Sequence, residues 1–264
     1  MKIHVLMENT SCSPEFTAEH GLSLFIESEG RCVLFDFGAS PSFADNARRM
    51  GVDLNRVDMA VLSHGHYDHG GGLPHFLKIN EHAPVWMSPY AFETHLNAVG
   101  KNIGLVEGLK RERQILFTPS EVYSPLHGVT LYSAAVLPTP YGTDSSGMTV
   151  QSAAGRVEED FRHEQYLLME EQGKRVLFSG CSHRGILNIA EHFRADVLVG
   201  GFHFMKWNVE EKSSLLEQTA NLLLSFPTRY YTGHCTGEAQ FQFLKSRMDK
   251  QLSAFSTGQT LQIL

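Results

Sequence analysis

Apolar positions in the first third of the chain fall into short runs that polar residues divide into elements. Ile3–Met7 is a short apolar strand, followed by a polar loop. Gly21–Glu27 and Cys32–Phe37 read as strands separated by a turn at Glu29 and Gly30. Pro41–Met50 has helical spacing and stops before Gly51, a residue suited to ending a helix. Val57–Ser63 is apolar enough for a buried strand. It runs into His64-Gly65-His66-Tyr67-Asp68-His69-Gly70-Gly71-Gly72, and a short helix is expected from Leu73.

In the middle of the chain, Pro84–Met87, Ile115–Thr118 and Val129–Ala134 read as strands, and Tyr90–Val99 reads as a helix. Leu137–Asp160 holds Pro138, Pro140, Gly142, Gly147 and Gly155 with little apolar periodicity. A long irregular stretch of this kind is either a cover over a site or a loose surface excursion. Alternation then returns. Gln165–Met169 and Arg175–Ser179 predict a hairpin, and Gly180-Cys181-Ser182-His183-Arg184-Gly185 opens a helix through His192. Val197–Gly201 is a strand, Glu210–Leu224 an amphipathic helix, and Tyr230–Thr232 a strand entering Gly233-His234-Cys235-Thr236-Gly237. A helix to Met248 and a final strand, Gln259–Leu264, complete the order. No fixed-period repeat and no linker interrupt it, so residues 1–264 read as one domain. Strands and helices in both halves predict an α/β fold of two sheets between helical layers, an αββα sandwich.

Composition narrows the class. A chain of 264 residues, 42% hydrophobic and 19% charged, is globular rather than disordered. The formal charge of −7 disfavours a nucleic-acid partner. The nearest basic run, Lys110-Arg111-Glu112-Arg113, is interrupted by an acid. No apolar stretch approaches the roughly 18–20 residues of a membrane span. The N-terminus lacks the pattern of a secretory signal, and the expected location is the cytoplasm. Cys12, Cys32, Cys181 and Cys235 have no CxxC spacing and are expected as free thiols or ligands.

Fourteen histidines are what composition leaves unexplained. Four follow the ends of buried-looking strands: His64, His183, His203 and His234. Strand ends at one sheet edge are where sites collect. His64 and His66, two apart in an extended turn, project to one side and can chelate one ion. Asp68 and His69 come from the next bend and can serve a second ion. Imidazole with carboxylate suits zinc, manganese or iron. His4, His20, His75, His82, His95, His127 and His192 have no such context and read as surface or satisfied core residues. Arg184 and Lys206 are candidate anion binders.

The segment His64–Gly70 resembles the HxHxDHxG motif of the metallo-β-lactamase superfamily. Asp36 in LFDFG sits where that superfamily has an Asp that orients a ligand. Leu177-Phe178-Ser179-Gly180-Cys181 resembles its strand-Gly-Asp motif, with Cys181 at the bridging position, and His234 resembles its last histidine. Asn9-Thr10, GCSHRGI, GGFHF and TGHCTG resemble the branch of the dihydropterin–ribofuranosylaminobenzene phosphate synthases. One departure stands out: Leu137–Asp144 holds no counterpart to the usual mid-chain metal histidine. His183 is the candidate replacement, with His163 and Asp144 behind it. Cys181 is either a ligand or a small buried residue.

The resemblance implies one or two divalent ions held by His64, His66, Asp68, His69, His183, His234 and Cys181, with Asp68, His203 and Asp36 as catalytic candidates. Such an ion lowers the pKa of water from about 15.7 to about 7, giving hydroxide at neutral pH. The expected activity is hydrolysis of a small anionic substrate, bound by Arg184 and Lys206. A condensing synthase using the same site as Lewis acid is the alternative, and a non-catalytic binding protein is another. Tyr67 stands where a di-iron relative has Glu, which disfavours oxygen or nitric oxide reduction.

Overall fold

The computed structural model describes residues 1–112, 114–152 and 155–264. Two seven-stranded sheets dominate it. The first runs, in spatial order, Thr260–Gln262, Lys2–Met7, Ser23–Ser28, Arg31–Phe35, Met59–Val61, Val85–Met87 and Ile115–Phe117. The second runs Leu252–Ala254, Arg229–Thr232, Val197–Val199, Lys174–Phe178, Gln165–Glu171, Val129–Ser133 and Val122–Leu126. In each sheet the strands nearest the site are parallel to their neighbours: Arg31–Phe35 with Met59–Val61, and Lys174–Phe178 with Val197–Val199 and Arg229–Thr232.

Side chains two apart on a strand share a face, and this period divides the apolar residues among three layers. In Arg31–Phe35, Val33 and Phe35 enter the layer between the sheets, while Cys32 and Leu34 face the helices outside. In Lys174–Phe178, Val176 and Phe178 face the first sheet and Leu177 faces outward. Phe35 and Phe178 meet across the central layer with ring centroids 5.7 Å apart. The helices Ser42–Arg49 and Leu73–Ile79 cover the outer face of the first sheet. Ile186–Phe193, Ser213–Leu224 and Glu238–Met248 cover that of the second. Strands buried on both faces are near-continuously apolar, which is why those runs stand out in the sequence. The αββα expectation matches this arrangement.

Two expectations fail. Tyr90–Val99 is not a helix: turns flank a short strand, Thr94–Leu96. Leu137–Asp160 is not irregular throughout: Thr149–Ser152 and Gly155–Glu158 are antiparallel strands, and the former also pairs with Thr94–Leu96. The result is a separate three-stranded flap, built from segments more than fifty residues apart. Ala153 and Ala154, also inside that stretch, lie outside the described residues, as does Arg113 of the mixed-charge run. Among the described residues no helix is long and apolar enough to cross a membrane.

Candidate metal centre

The clustered side chains leave from the carboxyl ends of the parallel strands, where ligands collect in open α/β sheets. Arg31–Phe35 delivers Asp36, and Met59–Val61 delivers Ser63 and His64. Lys174–Phe178 delivers Cys181 and His183, Val197–Val199 delivers His203, and Arg229–Thr232 delivers His234. Asp36, Ser182, His203 and His234 have φ of 62°, 57°, 60° and 50°. Non-glycine residues held there cost about 1–3 kcal/mol each, and such strain gathers at functional sites. Glycines let the HxHxDH turn pack tightly: a Cβ on Gly65 would overlap the carbonyl oxygen of Ala91.

Hydrogen bonds fix which ring nitrogen of each histidine is free. Asp36 is fully buried. Its Oδ1 accepts from the Ser63 backbone N–H, and its Oδ2 accepts from the Ser63 hydroxyl and from His69 Nδ1, all at 2.7 Å. Because the Ser63 proton goes to Asp36, the Ser63 oxygen accepts from His64 Nδ1 at 2.9 Å. Asn9 Oδ1 accepts from His234 Nδ1 at 2.8 Å. A neutral imidazole carries one N–H, so His64, His69 and His234 each present an Nε2 lone pair.

Those lone pairs converge. His69 Nε2 lies 3.2 Å from His234 Nε2 and 3.1 Å from Cys181 Sγ. Asp68 Oδ2 lies 3.3 Å from His234 Nε2 and 3.7 Å from His69 Nε2. His64 Nε2 lies 3.2 Å from His183 Nε2. Two nitrogen lone pairs facing each other repel, so something positive must stand between His69 and His234. Burial opposes charging His69, but Asp36 and Asp68 outweigh it and raise the imidazole to about 9. Burial also opposes ionising Asp68, yet His69, His20 and His234 hold its carboxyl well below the usual range. The donor set therefore draws positive charge, and a divalent ion fits it. Around a first position, His64, His66 and His183 place their ligand atoms within 4.8 Å of one another. Burial holds all three imidazoles well below their usual pKa, leaving them neutral as metal binding requires. His64, His69 and Cys181 form a second such group, and Cys181, His183 and His203 a third.

Several side chains at the centre were not singled out in the sequence. Cys235 joins Cys181 and His234 in another group of possible ligands. His20, read as a surface or satisfied core residue, sets Nε2 3.3 Å from Asp68 Oδ2. His95, also read as surface or satisfied core, is fully buried behind His66. His66, His95 and His163 look like a further metal group, but the tautomers argue against it. The Gly65 N–H donates to His163 Nδ1 at 2.9 Å, so the neutral ring carries its proton on Nε2 and has no lone pair there. His95 donates Nδ1–H to Glu159 Oε2 at 2.6 Å. This group supports His66 from behind.

The remaining sequence candidates divide. Asp36 lies wholly behind Ser63 and His69, so it positions a ligand and does not meet the reacting atoms. Lys206 lines the mouth cavity of about 190 Å³, together with His66, Asp68, Cys181, His183 and His203. Asp144 is exposed and lines an adjoining chamber. Arg184 spends part of its donor set on the chain itself. Its guanidinium donates to the carbonyls of Asp160 and Leu137, both at 2.9 Å, clasping the two ends of the segment that carries the flap. Backbone carbonyls are a partner type that sequence does not reveal. Arg184→Ala should therefore loosen the flap. Thermal denaturation should show a loss of about 1.5–3 kcal/mol, the range for hydrogen bonds to a charged group, with metal content unchanged.

Fold and site together put a cluster of possible metal ligands at the edge of an αββα sandwich. Residues 16–146 match the model of the metallo-β-lactamase superfamily. The chain is 29% identical to Tm1679, a metal-dependent hydrolase of the β-lactamase superfamily; its crystal structure aligns with a TM-score of 0.84 over 100% of this chain and 99% of that one. It is 26% identical to the 7,8-dihydropterin-6-methyl-4-(β-D-ribofuranosyl)-aminobenzene-5′-phosphate synthase of Methanocaldococcus jannaschii, covering 93% of this chain and 91% of the relative. Zn²⁺-bound PqqB from Methylobacterium extorquens, 13% identical with a TM-score of 0.62 over the full length of both chains, shares the fold. The chain carries a metallo-β-lactamase superfamily domain over residues 16–146 and is similar along its length to the dihydropterin–ribofuranosylaminobenzene phosphate synthase branch.

Proposed function

We propose that this chain is a metal-dependent hydrolase acting on a small anionic substrate. The observation that carries the reading is the convergence of His69 and His234, their Nε2 lone pairs 3.2 Å apart beside Asp68 and Cys181. His64, His66 and His183 would hold one divalent ion, and Asp68, His69 and His234 a second, with Cys181 as a further possible ligand. Bound there, such ions supply Lewis acidity and bring the pKa of water from about 15.7 to about 7.

The chain's own groups do the rest. Asp36 and Ser63 keep His64 and His69 in the tautomers that leave Nε2 free. Asn9 does the same for His234. His20 and Asp68 form a proton-holding pair at the mouth, 3.3 Å apart. His203 lines the cavity beside Cys181 and His183 and can hydrogen-bond the reacting group. Lys206 sits at the same mouth, where its charge attracts an anion. The identity to the synthase favours a second reading, condensation of a phosphorylated aryl-ribosyl compound at the same centre.

The test is a panel of p-nitrophenyl phosphate, bis(p-nitrophenyl) phosphate and a neutral lactone, offered to zinc- or manganese-loaded protein. Hydrolysis of a phosphate that disappears with chelator and in Asp68→Asn is expected. Lys206→Ala should raise KM for that phosphate about 10-fold, near 1.4 kcal/mol, with kcat little changed. No turnover of any member with fully loaded protein would overturn the hydrolase reading and favour condensation.

A further inference from the structure

A second chamber adjoins the metal centre and has no part in the chemistry above. It has a volume of about 240 Å³ and lies between the helix Ser213–Leu224, the first turn of Ile186–Phe193 and the loop that follows His203. His183 and His203 line both this chamber and the mouth cavity, so the two spaces lie on either side of those rings.

Its walls are aromatic. Trp207 stacks on Phe204 with ring centroids 4.3 Å apart and planes 28° off parallel, and Phe202 is buried beside them. Lys212 Nζ lies 5.8 Å from the centroid of the Trp207 ring. The rim is apolar as well: Tyr141 is 43% and Leu215 41% exposed. Exposed large apolar residues gathered at a concave opening mark a ligand site. Tyr67 and Met205, 43% and 40% exposed, repeat the pattern at the neighbouring mouth. The approach from the flap side is held in place. Asn188 accepts from the Tyr141 N–H at 3.0 Å and donates to the Gly142 carbonyl at 2.7 Å. A preformed opening lined by ring faces and edges suits a flat ring better than a flexible alkyl chain, because aromatic pairs gain from offset and edge-to-face geometry.

We infer that this chamber binds a planar aromatic group of the substrate, one or two rings in size, while the anionic reacting group extends past His183 and His203 to the metal centre. The inference rests on the hydrolase reading only for the location of the reacting group. Trp207 supplies the principal contact. Lys212 and Asp144 stand at the outer rim, where ring substituents would emerge.

Calorimetric titration of metal-loaded protein with 1-naphthyl phosphate and with methyl phosphate tests this without turnover. The two probes share a phosphate and differ in the ring. The wild-type chain should bind 1-naphthyl phosphate at least 10-fold more tightly. Trp207→Ala should erase that preference and leave methyl phosphate binding unchanged. Leu215→Trp, at an exposed position and aimed at filling the chamber, should do the same, with metal content constant in both variants. Equal binding of the two phosphates by wild type, no binding of either, or a preference that survives both substitutions would overturn the inference. A preserved ring preference in protein that hydrolyses nothing would instead remove the hydrolase reading and leave the chamber assignment standing.

Discussion

His66→Ala is expected to lose about one metal equivalent per chain and all metal-dependent turnover while keeping a native circular dichroism spectrum. His66 shares one ligand group with His64 and His183, and all three rings are buried and held neutral. Its Nε2 is buried with no hydrogen-bond partner among the described residues, so no other bond of that atom ties the turn to the core. The central apolar layer, formed by residues such as Phe35 and Phe178, lies between the sheets and does not include it. The sheets should therefore persist. A modest fall in thermal stability is still expected, because an ion bound only to the folded state stabilises it by mass action. Metal analysis and circular dichroism on one sample decide the point, and a globally unfolded variant would make the metal structural first.

Asp36→Ala should be the more damaging change to stability. Its carboxylate receives three protons, from the Ser63 backbone, the Ser63 hydroxyl and His69 Nδ1. Removal strands all three donors in a fully buried place, where each unmet group costs about 1–3 kcal/mol. A total loss of about 3–5 kcal/mol is expected, in line with removal of one partner from a buried charged pair. Asp36→Asn keeps the shape and one acceptor, but its amide would oppose a donor. His69 or Ser63 must then turn, and the Nε2 lone pair of His69 is no longer assured. Metal affinity should fall about 10- to 100-fold, the usual consequence of losing a group that orients a ligand, with a smaller loss of stability. If both variants bind metal as tightly as wild type, the tautomer control assigned to Asp36 is wrong.

The core of the site was legible because its signals are local. His64 to His69 lie within six residues, and His183, His203 and His234 each follow a strand whose apolar run announces it. What stayed hidden depends on contacts across the chain. His95 meets Glu159, 64 residues away, and His163 reaches back 98 residues to Gly65. Nothing near His95 in sequence marks it, and His163, a candidate ligand, carries no local sign of the partner it meets. The flap was missed for the same reason. Ala91, Phe92, His95 and Leu96 imitate helical spacing, but Leu96 pairs with Thr149 in a sheet. The clasp made by Arg184 was missed because a charged side chain draws attention to charged partners, whereas these partners are two backbone carbonyls.

That His69, His234, Asp68 and Cys181 converge on a metal ion, rather than on a shared proton, is tested most directly by metal content. Protein purified without added metal, stripped with chelator and then titrated calorimetrically with zinc, should take up one to two equivalents per chain. His69→Ala should lose at least one of them while its fold is retained. Wild-type protein that carries only traces of metal as purified, and takes up none from zinc solution, would contradict the account: the positive charge between those nitrogens would then be a proton.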